Sequence, residues 1–260
     1  MLGIINSILS FFDAKLVRKS SHEKITSKLP DYLKYDFSEL IDSQYRMNYL
    51  ENLSDSKAQL GQDLFVLSEL GFKKKGFFVE FGATNGIDLS NTYMLEKKFE
   101  WNGILAEPAK LWHSELKLNR SSSIELDCVW RTTGNVLLFN EVKDDSHNGE
   151  LSTIDSFSSS DGHAKERKFA NRYEVKTISL YDMLKKYNAP KTIDYLSIDT
   201  EGSEFEILSN FDFDEYDIKI ITCEHNYTSM REKIFDLLSA QGYERKYSEF
   251  SLFDDWYVRK

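Results

Sequence analysis

Two stretches of this sequence end strand-forming runs in more charge than an apolar strand needs. In Ile193-Asp194-Tyr195-Leu196-Ser197-Ile198-Asp199-Thr200-Glu201-Gly202-Ser203-Glu204, the run closes on two acids and a glycine. The next such run closes on Glu224-His225-Asn226, so both strands deliver polar groups to one sheet edge. Carboxylates beside an imidazole that titrates near neutrality can take the proton from a hydroxyl, a poor nucleophile until deprotonated. On that reading His225 is the base, oriented by Glu224 or Asp199. A second reading sets a divalent cation among Asp199, Glu224 and Asn226; hard oxygen ligands suit Mg2+, which would lower a bound hydroxyl's pKa. A third makes these acids a solvated helix cap at Ser203 with no chemistry.

An earlier turn reads as a ligand cradle. Phe77-Phe78-Val79-Glu80-Phe81-Gly82-Ala83-Thr84-Asn85-Gly86 is an apolar strand that ends in an acid and two glycines spaced G-x-x-x-G. Gly82 lets the backbone turn tightly against a ligand, and Gly86 can take positive φ before the next helix. A dinucleotide site requires G-x-G-x-x-G, and Thr84 stands where its second glycine belongs, so a nicotinamide oxidoreductase is the weaker alternative. Glu80 instead suits a cationic ligand without phosphate, such as the amino and sulfonium groups of S-adenosylmethionine. Gly103-Ile104-Leu105-Ala106-Glu107-Pro108 then ends in an acid where a carboxylate can accept from both hydroxyls of a ribose, or cap the helix starting at Pro108. Asp127 and Cys128, at the end of a third run, could face an adenine edge.

These tips need a parallel sheet to bring them together, and the order of apolar strand and amphipathic helix supplies one. Strands are expected at 77–81, 103–107, 124–129, 173–178, 193–198 and 218–223, with a further extended stretch at 136–139. Helices are expected at 57–70, 88–99, 109–118, 180–186, 203–208 and 230–241, and two terminal strands at 243–247 and 252–258. Residues 141–168, rich in Ser, Asp, Gly and Lys, form an excursion from the sheet, either a lid or a tolerated insertion, whose Lys and Arg could face an acidic glycan. Residues 1–55 read as an N-terminal helical extension and 56–260 as the catalytic domain.

Composition narrows the partners. With 43 acidic against 33 basic side chains in 260 residues the net charge is -10. No Lys/Arg block offsets it, so nucleic acid is not expected. The 41% hydrophobic content argues against disorder. Cys128 and Cys223 stand singly, as buried thiols of a reducing cytoplasm do. Residues 1–20 carry an apolar run too short and too polar to span a bilayer, with the basic residues after it rather than before. An amphipathic helix is expected there, packed on the domain, pairing subunits, or resting peripherally on a membrane.

Taken together, these residues resemble the FkbM family of S-adenosylmethionine-dependent methyltransferases over roughly 54–260. The turn from Glu80 to Gly86 resembles the family's first-strand motif, Gly103 to Pro108 its ribose-binding strand, and Ile198-Asp199-Thr200-Glu201-Gly202 its fourth-strand signature. Leu180-Tyr181-Asp182-Met183-Leu184, Glu224-His225-Asn226 and Asp254-Asp255-Trp256-Tyr257-Val258 also look like that family. The resemblance implies an α/β fold: a seven-stranded Rossmann-like sheet of order 3-2-1-4-5-7-6, the last strand antiparallel, with helices on both faces. It implies Glu80, Gly82, Ala83, Thr84 and Asn91 around the methionine part of the donor, Glu107 at its ribose, and O-methylation of a sugar, glycan or related small metabolite. Ligands of a metal, if one is used, would sit as in catechol O-methyltransferase. Trp101, Trp112, Trp130 and Trp256 are candidates to stack on sugar rings or to fill the core. A scaffold that keeps the cofactor turn but catalyses nothing is the rival from a different class.

Overall fold

The computed structural model describes residues 32–142 and 149–260. The expectations for residues 1–20 therefore lie outside the described residues. A helical stretch at 32–37, then α1 (Ser43–Asn52) and α2 (Gln62–Glu69), precede the first strand. The main sheet contains β1 (Phe77–Phe81), β2 (Asn102–Ala106), β3 (Ser123–Glu125), β8 (Thr192–Ile198), β9 (Asp217–Glu224), β10 (Tyr243–Lys246) and β11 (Asp254–Arg259). Its spatial order is β3-β2-β1-β8-β9-β11-β10; counting only this sheet's strands in chain order gives 3-2-1-4-5-7-6. The first five pair in parallel, and β11 runs antiparallel to both β9 and β10.

A parallel sheet must be covered on both faces, and its central strands are accordingly apolar on both. Val79, Ile104, Leu196 and Ile221 face one core with helix α5 (Leu180–Lys186) and α7 (Met230–Ala240). Phe78, Leu105, Tyr195 and Ile220 face the other, with α2 and α3 (Tyr93–Phe99). Ser179 caps α5 by accepting from the Asp182 amide, and Lys185 and Lys186 sit in its last turn, where the helix dipole favours them.

The numbering gap between β3 and β8 is a second sheet that the sequence did not reveal. It orders β4 (Cys128–Trp130), β7 (Asn171–Ser179), β5 (Val136–Glu141) and β6 (Thr153–Ile154) over its own small core. The expected strand 124–129 is thus two strands. The Glu125 carboxylate accepts the amides of Leu126 and Asp127, which interrupts the ladder, and Cys128 then pairs with Thr177 instead. Three expected helices start later than their apolar pattern suggested, the first of them α2, which begins at Gln62 rather than 57, after Gly61 at positive φ. The Ile87 and Asp88 amides donate to Asn85 Oδ1, the Asn91 amide to Glu80 and the Thr92 amide to Ser90 Oγ, so α3 begins at Tyr93. Ala109 and Leu111 donate to Glu107 and Glu141, so α4 (His113–Asn119) begins four residues late.

Candidate active site

A cavity of about 570 Å³ opens where β1, β2, β8 and β9 end. Its wall includes Glu80, Gly82, Thr84, Asn91, Glu107 and Pro108 from the first two strand ends, and Asp199, Glu201, Glu224 and Asn226 from the later two. The second sheet closes another side with Cys128, Val129, Phe139 and Ile154.

Gly82 is the tightest point of the turn. Its φ is +74°, and a Cβ there would lie 2.2 Å from the Asp199 carbonyl oxygen, so only glycine lets the tips of β1 and β8 approach. Thr84, Leu89, Glu201 and Asn226 also hold positive φ, and all four line the cavity. Such conformations cost energy that the surrounding structure must supply, and they gather at functional sites.

Glu80 lines the cavity, yet its carboxylate is engaged by the protein. It accepts from the Asn91 amide at 2.7 Å, Thr92 Oγ1 at 2.5 Å and Ser90 Oγ, with the Arg120 guanidinium 3.6 Å away. Arg120 is fully buried, pairs also with Glu96 at 2.9 Å, and donates to the Gly86 carbonyl. Burial alone would raise Glu96; Arg120 and hydrogen bonds from Lys97, Ser122 and Ser121 bring its pKa down to about 2. Glu80 and Arg120 therefore fasten loop 82–92. That places the Glu80 charge inside the protein, where the sequence expectation had aimed it at a cationic ligand.

Glu107 is buried with one oxygen accepting the Thr84 amide and the other the Ala109 amide, both at 2.8 Å. Burial pushes its pKa up to about 7 against the pull of those two amides. Each oxygen keeps a further lone pair for a ligand hydroxyl.

The acids of 199–204 divide into three roles. Asp199 faces the cavity beside Glu224, a carboxylate oxygen of each lying within 4.8 Å of the other; burial raises both, Asp199 to about 7. Glu201 turns to the buried Arg167, 2.6 Å away, which also holds Asp161 at 2.7 Å and donates to the Leu151 carbonyl. Glu204 accepts the Thr200 and Gly202 amides and the Thr200 hydroxyl, fixing the turn into α6 (Glu204–Leu208). Ser203 makes no side-chain cap. Asp199, Glu201 and Glu224 offer carboxylate oxygens within 4.8 Å of one another.

His225 does not reach this cavity. Successive side chains of an extended chain point to opposite sides, so with Glu224 and Asn226 turned in, His225 is turned out. Its Nδ1 accepts the Tyr227 amide and its Nε2, without a hydrogen-bond partner, lies 3.8 Å from Asp255. Burial lowers its pKa more than Asp255 raises it. Among the described residues, the imidazole that does line the cavity is His163, on the excursion.

A family model described as the Methyltransferase FkbM domain matches residues 80–245, more than half of the chain. The chain belongs to the FkbM methyltransferase family. No curated protein matches the sequence. Among solved structures, it is similar to a precorrin-6y C5,15-methyltransferase from Geobacter metallireducens GS-15, at 10% identity over 75% of this chain and 85% of that one, with TM-score 0.38. It is also similar to the methyltransferase FkbM from Methylobacillus flagellatus KT, at 12% identity and TM-score 0.43, over 91% of this chain and 60% of that one. This FkbM-family chain thus spans about three fifths of the second protein's length.

Of the residues expected around the donor, Glu80, Gly82, Thr84, Asn91, Glu107, Pro108 and Cys128 line the FkbM-family cavity. Ala83, Gly86 and Asp127 do not: Ala83 is buried, Gly86 packs on Arg120 and Leu116, and the Asp127 amide is held by Glu125. Both cysteines are free and buried. Trp101, Trp130 and Trp256 belong to the cores, while Trp112 lines the cavity. The excursion's Arg167 faces Glu201 and Asp161 rather than solvent or a glycan. Sequence reading missed Arg120, Arg167, Gln62 and His163, because each reaches the site from an element whose packing no local pattern encodes. No helix among the described residues is long and apolar enough to cross a membrane.

Proposed function

We propose that this protein is an S-adenosylmethionine-dependent O-methyltransferase whose acceptor is a hydroxyl of a sugar, a glycan or a related metabolite. One observation carries the reading: the Gly82 turn and Glu107 share a single cavity with the Asp199–Glu224 carboxyl pair. Donor recognition and proton removal therefore need no further element.

The residues present fit the donor. Glu107 is held by two amides and retains acceptor capacity for a ribose diol. Asn91 donates from Nδ2 to Ser197 Oγ, which fixes its amide and leaves Oδ1 buried with no donor of its own. An N–H of the methionine ammonium is the kind of group such an acceptor lacks. When bound, S-adenosylmethionine supplies a methyl group on a sulfonium, already a good leaving group.

The protein's part is alignment and removal of the acceptor's proton. We assign the proton to the Asp199–Glu224 pair, whose raised affinity for it suits a base working near neutral pH. This replaces the imidazole of His225, which faces Asp255. A divalent cation among Asp199, Glu224 and Asn226 is the less favoured device, since Glu201, beside them, already has its charge met by Arg167. Trp112 offers an aromatic face to the sugar.

Calorimetry with S-adenosylhomocysteine and with NAD tests the donor. Binding of the first and not the second is expected, with a rise in melting temperature corresponding to about 2.7 kcal/mol at a hundredfold excess over Kd. Label transfer from the methyl donor to a panel of sugars, undiminished by chelation, tests the acceptor and the metal-free base. Indifference to S-adenosylhomocysteine would sink the proposal.

A further inference from the structure

The start of α2 forms a wall of the cavity and, within the methyltransferase reading just proposed, indicates which end of the donor it would hold. Gln59 and Gln62 line the cavity, and both precede the span 80–245 that the family model matches. A backbone bridge between Ala58 and Leu89 lays this segment against the loop that follows β1. Gln62 is the first residue of α2 and is 3% exposed.

A helix start leaves amides without intrahelical acceptors, and where it is buried they need side chains, water or a ligand. The N-cap of α2 is Gly61, which has no side chain to offer. Asp63 is fully buried, and its Oδ1 accepts the Leu64 amide and Ser56 Oγ. The amides of Gln62 and Asp63 find no acceptor among the described residues. The Gln62 side chain is oriented by the protein: Oε1 accepts the Leu60 amide at 2.9 Å, and Nε2 donates to Asp254 Oδ2 at 2.7 Å. Its nitrogen carries two N–H groups, so one is left over. Donors gathered at the positive end of a helix favour a negative group.

Asn91 adds the complementary demand, and it does so from a different element. It is 8% exposed and lines the same cavity, with Oδ1 buried and lacking a donor. What satisfies such an oxygen is an N–H, most strongly a charged one. Donors for an anion and an acceptor for a cation in one cavity are what an α-amino-acid zwitterion requires.

We infer that the start of α2, through Gln62, binds the carboxylate of the donor's methionine end while Asn91 takes its ammonium. The segment ahead of the family domain then selects a donor with an intact amino-acid tail. A truncated tail would leave buried amides and the Asn91 oxygen unpaired, which costs more than the lost contact alone.

The full chain is titrated calorimetrically with S-adenosylhomocysteine, with its decarboxylated analogue, which keeps the ammonium, and with 5′-methylthioadenosine, which has neither group. We expect affinity to fall about tenfold without the carboxylate, and further without both groups. Gln62→Glu, close in shape but charged, weakens S-adenosylhomocysteine about tenfold and leaves methylthioadenosine unchanged. An equal loss for all three ligands would mean a structural role and overturn the assignment of Gln62. The comparison of ligands on the unmodified protein decides even where that variant fails to fold. Undiminished binding of the decarboxylated analogue or of methylthioadenosine overturns the proposal and leaves the methyltransferase reading standing. If none of the three binds, that reading falls instead.

Discussion

At the scale of single residues, Asp199 and Glu224 bring two buried carboxyls together at the cavity, and the proposed base is drawn from them. Removing the charge without the shape, Asp199→Asn, lowers kcat by about 10²- to 10⁴-fold, the range of a lost general base, while Kd for S-adenosylhomocysteine moves little. A rate within a fewfold of the unmodified enzyme would remove Asp199 from that role. Glu107→Gln has the opposite signature: it weakens donor binding while the chemical step with saturating donor is largely kept. His225 predicts neither. Its ring packs beside Asp255, which Arg231 grips through both oxygens at 3.0 and 2.7 Å. His225→Gln therefore costs stability, read as a lower melting temperature, and leaves turnover within about tenfold; a larger loss of turnover at full folding would restore the imidazole to the mechanism.

At the scale of elements, the site depends on strand tips touching. The closest approach is Gly82 against the Asp199 carbonyl, where an added Cβ would sit 2.2 Å away at a φ of +74°. Gly82→Ala costs about 1 to 2 kcal/mol from the backbone conformation alone. The clash adds to this by pushing β1 and β8 apart at the point where they carry ligand groups. We expect the variant to lose donor binding by calorimetry even where circular dichroism still reports a folded sheet. Intact donor affinity would mean that the turn has slack the geometry does not show. Arg167 acts on the same level, since one buried guanidinium ties residues 151, 161 and 201 together and so docks the excursion onto the tip of β8.

Over the whole molecule, buried carboxyls set the response to pH. Burial pushes Asp63 up to about 6, Asp199 and Glu107 to about 7, and Asp254, with repulsion from Asp199, to about 8. A group whose folded pKa is raised binds its proton more tightly when folded. The stability it contributes is complete below its unfolded value near 4 and is lost as pH rises through the folded value. Glu96, held near 2, works in the other direction and loses its contribution only as pH falls from about 4.5 to 2. The ligand-free protein should therefore melt at progressively lower temperature from pH 5 to pH 8.5, and Asp254→Asn should flatten the upper part of that slope. A melting temperature that holds steady or climbs across this range would contradict the assignment.

Family resemblance supplied the order of the main sheet, and the sequence by itself determined its strands and the acids at their ends. Those depend on local signals: apolar runs of strand length, a glycine where φ must be positive, and acids where a buried strand has no use for them. Glu107, Asp199 and Glu224 were legible for that reason. It could not show that 126–127 breaks a strand, that β4, β5, β6 and β7 build a second sheet, or that Glu80 and Glu201 each face a buried arginine. Partners such as Arg120 and Arg167 are met only when distant segments pack. Nor could it show which way His225 turns, because a one-residue step reverses the face and only the Asn226 turn and the Asp255 pocket fix the phase. Tertiary packing decided which charges are spent on the protein and which are left for a ligand, because a carboxylate's role depends on what is folded against it.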